Sequence, residues 1–176
     1  MRRLRYGVAM SLDGFIAGPK GEYDWIVPDP AMDFVAMFAE YDTLLIGRKT
    51  YEVASSAEHS MSSSGQRWIV VSTTMKPEDY PGITVLSSGV GEAVAAMKAQ
   101  PGKDIWLMGG GVLFRAMLDA GLVDTVEVAV MPVMLGSGTP LLPEGRRRSL
   151  HLSESKTLPS GILMLKYSIV PETQAA

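Results

Sequence analysis

The chain has 176 residues, with 19 acidic and 16 basic side chains, and no cysteine. That length can bury a real core within one domain, and the missing thiols exclude disulfides, thiolate metal ligands and cysteine nucleophiles. A net charge of -3 argues against nucleic acid as a partner, because proteins that bind it usually show a basic face.

Leu4 to Met10 predicts a buried first strand. The surrounding stretch "MRRLRYGVAMSLDGF" is basic, but its apolar part is short and broken by Gly7, Ser11 and Asp13, so it reads as a strand and not as a signal peptide. No apolar run reaches the roughly 20 residues needed to cross a bilayer. No membrane partner is expected, and the cytoplasm is the expected setting. "SLDGFIAGPKGEYDW" is a loop punctuated by Gly14, Gly18, Pro19 and Gly21. Asp29 followed by Pro30 predicts a helix start, a capping acid before proline at the first helical position. Phe34, Met37, Phe38 and Tyr41 then recur at helical spacing.

"TLLIG" predicts a short buried strand and "RKTYEVA" the helix that opens after it, whereas the Ser-rich stretch 55–66 predicts an exposed loop. "RWIVVS" and "ITVLS" read as strands, "GEAVAAMKAQ" as a helix, "DIWLMG" as a strand and "VLFRAMLDA" as a helix closed by Gly121. This alternation predicts an α/β fold with a mainly parallel central sheet flanked by helices. After Gly121, "DTVEVAVMPVML" and "ILMLKYSIV" are strands with no helix between them, so the sheet should end in an antiparallel C-terminal hairpin. "LGSGTPLLPEG" reads as a loop. A single domain is expected over 1–170, with a frayed tail at 171–176.

In α/β sheets, ligands collect beyond the carboxyl ends of the strands. Three stretches fall there. Gly109, Gly110 and Gly111 lie between a strand and a helix N-terminus, where bare backbone and unpaired N–H groups suit a phosphate. Gly47, Arg48, Lys49 and Thr50 form a second such turn; two cations at a helix N-terminus oppose its dipole, a cost that a bound anion offsets. Ser72, Thr73 and Thr74 place hydroxyls after a third strand. Close packing alone is the competing explanation for the glycines, and solvation for the cations.

The pieces "VAMSLDGFIAG", "YDWI", "LLIGRKTYE", "VVSTTM", "IWLMGGGVLFRAML" and "VEVAVMPVMLGSGTPLL" together resemble the dihydrofolate reductase-like superfamily. The resemblance is strongest to the reductase domain of the riboflavin-biosynthesis bifunctional deaminase-reductase and its stand-alone relatives. It implies an oxidoreductase of dihydrofolate reductase-like fold that uses NADPH as its cofactor to reduce a small, flat, pterin- or pyrimidine-like substrate. By position it implies that Gly47, Arg48, Lys49 and Thr50 lie near the adenosine side of NADPH, with Ser72 and Thr73 beside the same 2′-phosphate. Gly109, Gly110, Gly111 and Val112 would hold the pyrophosphate and the nicotinamide ribose. Ala9 and the loop from Ser11 to Ala17 would face the nicotinamide. A homodimer is left open.

The substrate side carries over less well. The position where dihydrofolate reductases place a pterin-binding carboxylate falls near Ala31, with Asp29 and Asp33 beside it. The segment after "WI" carries acids and no Lys or Arg, which serves an anionic phosphate poorly. Asp13 and Asp33 are the catalytic candidates; Asp13, Asp24 and Trp25 are the substrate-binding candidates. Turn formation, solvation, helix capping and core packing are the competing roles for these residues, and core packing is expected for Trp68 and Trp106. His59 and His151 are too isolated for a metal site, so no metal is expected. Arg146 to Arg148 reads as a solvated loop. Two other readings stay open: a nucleotide-binding module of this fold without turnover, and a structural or partner-binding protein.

Overall fold

The computed structural model describes residues 1–56 and 65–171; His59, most of the Ser-rich stretch and the last five residues lie outside them. The elements run in the order β1 (Leu4–Ser11), β2 (Phe15–Ala17), α1 (Phe34–Ala39), β3 (Tyr41–Gly47), α2 (Arg48–Ser56), β4 (Arg67–Val71), β5 (Thr84–Leu86) and α3 (Val90–Ala99). They continue with β6 (Asp104–Met108), α4 (Gly111–Asp119), β7 (Thr125–Met131), β8 (Thr139–Pro140), β9 (Leu150–Thr157) and β10 (Leu163–Ile169).

Eight strands form one sheet in the order β5-β4-β3-β6-β1-β7-β10-β9. The first six are parallel, whereas β10 runs antiparallel to both β7 and β9. The alternation of side chains along each strand divides the core between the two faces. Leu4, Tyr6, Leu45, Ile105 and Leu107 pack with Val94 and Met97 of α3 and with Leu113, Phe114, Met117 and Leu118 of α4. The Tyr6 and Phe114 rings stack there at 3.7 Å. On the opposite face Tyr41, Leu44, Ile46, Trp68, Val70 and Trp106 pack beneath Met37 and Phe38 of α1 and Tyr51 of α2. Trp68 and Trp106 are therefore core. A separate cluster on that face, Ala129, Met131, Leu158 and Ile162, takes up Ala9, Trp25, Met32 and Met164 at its margin.

The parallel sheet and the antiparallel end match the sequence reading, and Gly121 closes α4. Gly121 N–H donates to Leu118 O and Leu122 N–H to Met117 O, with Gly121 at φ 67°; this is a Schellman motif.

Four details differ. The helix expected from Asp29 and Pro30 begins only at Phe34, with Asp33 as its cap: Asp33 Oδ1 accepts from Ala36 N–H at 2.8 Å. Asp29 instead closes a turn through Ala31 N–H and ties it to Ser160 N–H, while Tyr41 leaves the helix to begin β3. The strand expected over 124–135 ends at Met131, before Pro132. Ser55 and Ser56, read as loop, finish α2. Three strands were unanticipated: β2 and β8, which pair with each other inside apparent loops, and β9, every residue of which is exposed. With neither face buried, β9 shows no sustained hydrophobic period.

Candidate active site

The parallel strands aim their carboxyl ends at one edge of the sheet. β3 and β6 are neighbours there, yet their helices leave in opposite directions: α2 packs on one face and α4 on the other. Neighbouring strands whose connections part in this way open a crevice beyond their ends. Leu45 pairs with Leu107, so Gly47 and Gly109, two residues further on, line that crevice together. A Cβ on Gly109 would stand 3.2 Å from Thr50 Cγ2, and one on Gly110 would be 3.7 Å from Thr50 Oγ1. The "GRKT" and "GGG" turns, far apart in sequence, are thus in contact.

The three glycines have separate physical causes. Gly109 and Gly110 adopt φ of 62° and 77°, which side chains rarely tolerate. A Cβ on Gly111 would come within 3.0 Å of both Pro140 O and Pro143 Cδ and 3.1 Å of Leu141 O; its missing side chain admits the loop after β8. The crevice is open at Gly47, where a Cβ would meet nothing within 4 Å. At the start of α4, Gly110 supplies no side-chain cap and the first turn holds no acid. The leading N–H groups of α4 thereby suit an anion. Val112, in that turn, is exposed.

Around these turns, Arg48 Nη1 pairs with Glu52 Oε1 at 2.6 Å on the exposed side of α2, and Lys49 is exposed. Ser72 is buried, and its hydroxyl accepts from Thr74 and Met75 N–H; it shapes the turn that leaves Thr73 exposed. Ala9 lies half-buried on β1, paired with Ala129.

Asp13 has a defined task. One oxygen accepts from Ser11 Oγ at 2.6 Å and Leu135 N–H at 3.1 Å, the other from Gly136 N–H at 2.7 Å. The Ser11 hydroxyl and these two amides hold its pKa below the ordinary carboxylate value. Asp13 thus fastens the turn after β1 to the loop after β7. Asp24 is exposed, and Trp25 Nε1 donates to Glu22 O at 3.1 Å while the ring borders the Ala129 cluster.

Beneath α1 lies a cavity of about 300 Å³, separate from the glycine crevice. Met32, Phe34 and Met37 form its apolar roof, and Ala31 and Asp33 line it too. Its floor is the sheet. In register, Gly7, Glu127, Lys166 and Glu154 make one cross-strand row; Ala9, Ala129, Met164 and Lys156 make the next. Gly7 leaves room for the Trp106 ring, whose Nε1 donates to Gly7 O at 3.0 Å.

The buried Arg5 donates to both Glu127 oxygens at 2.7 Å and also to Glu40, and stacks 4.7 Å over the Tyr41 ring. Burial pushes the Glu127 pKa up, but hydrogen bonds from Arg5 and Thr125 and the nearby charge of Lys166 more than offset it, so the net shift is downward. Arg5, Glu127, Lys156 and Lys166 were missed in the sequence. Their only signal was a charge within otherwise apolar or featureless strands. Lys156 and Lys166 also correct the view that this region offers no cation, since the hairpin brings them opposite the α1 segment.

Residues 2–164 match the RibD C-terminal domain model. The chain belongs to the RibD C-terminal domain family. It is 33% identical to the uncharacterized protein YyaP of Bacillus subtilis (strain 168), over 94% of each chain. It superposes on a putative riboflavin biosynthesis protein from Shewanella with a TM-score of 0.81 at 27% identity, over 96% of this chain and 99% of that one. A pyrimidine reductase-like protein from Corynebacterium diphtheriae aligns with a TM-score of 0.75 at 15% identity, over 97% and 93%, a likeness of fold. The RibD-like assignment makes this a reductase-like domain related to riboflavin biosynthesis, with the dihydrofolate reductase-like architecture. Among its described residues no helix is long and apolar enough to cross a membrane.

Proposed function

We propose that this RibD-type domain is an NADPH-dependent reductase acting on a small, flat heterocycle. The observation that carries the reading is the contact between Thr50 and the Gly109–Gly110 turn, which joins two helix N-termini into one anion-binding crevice. The leading N–H groups of α4 bind the pyrophosphate beside Gly110, Gly111 and Val112, and Thr50 adds a hydroxyl across the crevice. Arg48 turns from Glu52 to the 2′-phosphate; an exposed i,i+4 pair is worth only about 0.3–0.5 kcal/mol, so the exchange is cheap. Lys49 and Thr73 flank the same group, and Ser72 holds their turn.

NADPH, when bound, supplies the hydride. Ala9 leaves β1 flat where a nicotinamide would face the substrate, and the Asp13 tether keeps the 11–17 loop over that place. The substrate lies under α1. Asp33 there has a second carboxylate oxygen for a ring N–H, while Trp25 and the methionines supply apolar contact. Asp13 is held ionised by three donors and is a poor proton source at neutral pH, so water delivers the proton.

Titrating NADPH against the fluorescence of Trp25, Trp68 and Trp106 tests the reading. Quenching with a Kd of roughly 1–100 µM is expected, with Arg48→Ala weakening NADPH about tenfold and NADH little. No quenching and no thermal shift at about 1 mM NADPH would contradict it. The commitment of Asp13 to three hydrogen bonds within the fold, and of one Asp33 oxygen to the α1 cap, favours one second reading, a coenzyme-binding domain without turnover. Binding without oxidation of NADPH by any pterin or pyrimidine would select it.

A further inference from the structure

The described residues between β8 and β9, 141–149, form neither helix nor strand. One side chain holds the middle of that segment. Arg115 lies one turn into α4, and its side chain is 14% exposed. Its Nε and Nη2 donate to Pro143 O at 3.2 and 2.7 Å, and Nη1 donates to Arg146 O at 3.1 Å. Asp119, one turn further along α4, lies 3.5 Å from Nη1 and orients the guanidinium. Gly145 makes room for it, since a Cβ there would stand 2.6 Å from Arg115 Cζ. A planar fork with several donors on backbone carbonyls is a rigid clamp that a lysine does not reproduce.

The clamped segment continues to the loop at the other side of the crevice. Before Pro143 it abuts the first residue of α4, where Pro140 O and Leu141 O crowd the bare Gly111. Leu141 N–H donates to Gly14 O at 2.9 Å, and β8 pairs with β2 inside the 11–17 loop. Gly138 lies against Ala17 O with no space for a Cβ. Asp13 adds its bonds to the Leu135 and Gly136 amides. From Arg115 to Asp13 the contacts are continuous.

We infer that Arg115 is a positioning residue: it seats the 140–146 segment on the first turn of α4 and thereby couples the anion crevice to the 11–17 loop. An anion held by the leading N–H groups of α4 fixes that turn, the turn fixes Leu141, and Leu141 fixes Gly14. Such coupling is reciprocal, so an 11–17 loop closed on a substrate tightens the coenzyme. The ligand side rests on the reductase reading proposed above; the link itself belongs to the free protein.

Amide hydrogen exchange of the full chain tests it, with circular dichroism to confirm folding. In the free protein, Arg115→Ala should speed exchange at Leu135, Gly136 and Leu141 about tenfold and leave the β3 and β6 amides unchanged. Arg115→Lys should fall between wild type and Arg115→Ala. Gly145→Ala displaces the guanidinium without removing its charge and should match Arg115→Ala. Saturating NADPH should slow the same three amides in the wild type, whereas in Arg115→Ala the slowing should stop at the first turn of α4. Unchanged exchange at these amides in folded Arg115→Ala and Gly145→Ala, or NADPH protection that reaches them as fully in Arg115→Ala as in the wild type, would overturn the proposal. A wild type that binds no NADPH would overturn the reductase reading instead, and exchange in the free protein would still decide the link.

Discussion

Asp13, a catalytic candidate in the sequence, accepts hydrogen bonds from Ser11, Leu135 and Gly136 in the fold, and we propose that its role is structural. Its pKa is depressed in the fold by Ser11 and the amides of Gly136 and Leu135. A depressed carboxylate contributes stability above its unfolded pKa of about 3.9, and loses it as pH falls through the folded value. Asp13→Asn should therefore be less stable than wild type to urea at neutral pH, with the gap closing as pH falls through the folded value; a gap that does not change with pH would contradict the assignment. Its kcat should fall less than about tenfold, against the roughly 100- to 10,000-fold expected for loss of a general acid.

The glycines separate in the same manner. Gly111→Ala should lower stability by about 1–3 kcal/mol, because its Cβ meets backbone of the 140–143 loop. Gly47→Val projects into open space and should leave thermal stability nearly unchanged while weakening NADPH about tenfold. The opposite pattern in melting and titration curves would move the anion site elsewhere.

Among the elements, strands flanked by helices were legible because β1, β3, β4 and β6 are apolar runs ended by glycine or hydroxyl residues. The polar ends of β3 and β6 pointed to the crevice for the same reason. The cavity floor was not legible. Its charges come from β1, β7, β9 and β10, whose pairing is long-range, and a single Arg or Glu in a strand does not reveal which face it occupies. The start of α1 was misplaced because Asp29 and Asp33 are both competent caps, and only the contact of Asp29 with Ser160, across the chain, decides between them.

The Arg5–Glu127 pair that joins β1 to β7 has a measurable signature. Glu127→Gln leaves the buried Arg5 short of a charged partner and should cost roughly 1–3 kcal/mol at pH 7. The Glu127 pKa is depressed in the fold, so the wild-type advantage should shrink as pH falls from about 4.3 through the folded value. Urea unfolding across that window checks it, and a pH-independent difference would argue that the carboxylate charge is unimportant.

Over the whole molecule, the sheet order and the opposed departures of α2 and α4 open one crevice, between Gly47 and Gly110. The apolar-roofed cavity beneath α1 lies to one side of it, on the face of β1 that carries Ala9. On the proposed reading, the crevice would take an anionic coenzyme at the helix ends and the cavity a flat partner against the sheet. A crystal structure of the protein soaked with NADPH tests this division most directly. Pyrophosphate oxygens should lie about 3 Å from the leading N–H groups of α4, with Thr50 across from them and the 2′-phosphate at Arg48. NADPH lodged beneath α1, or bound with its pyrophosphate remote from Gly110, would contradict it.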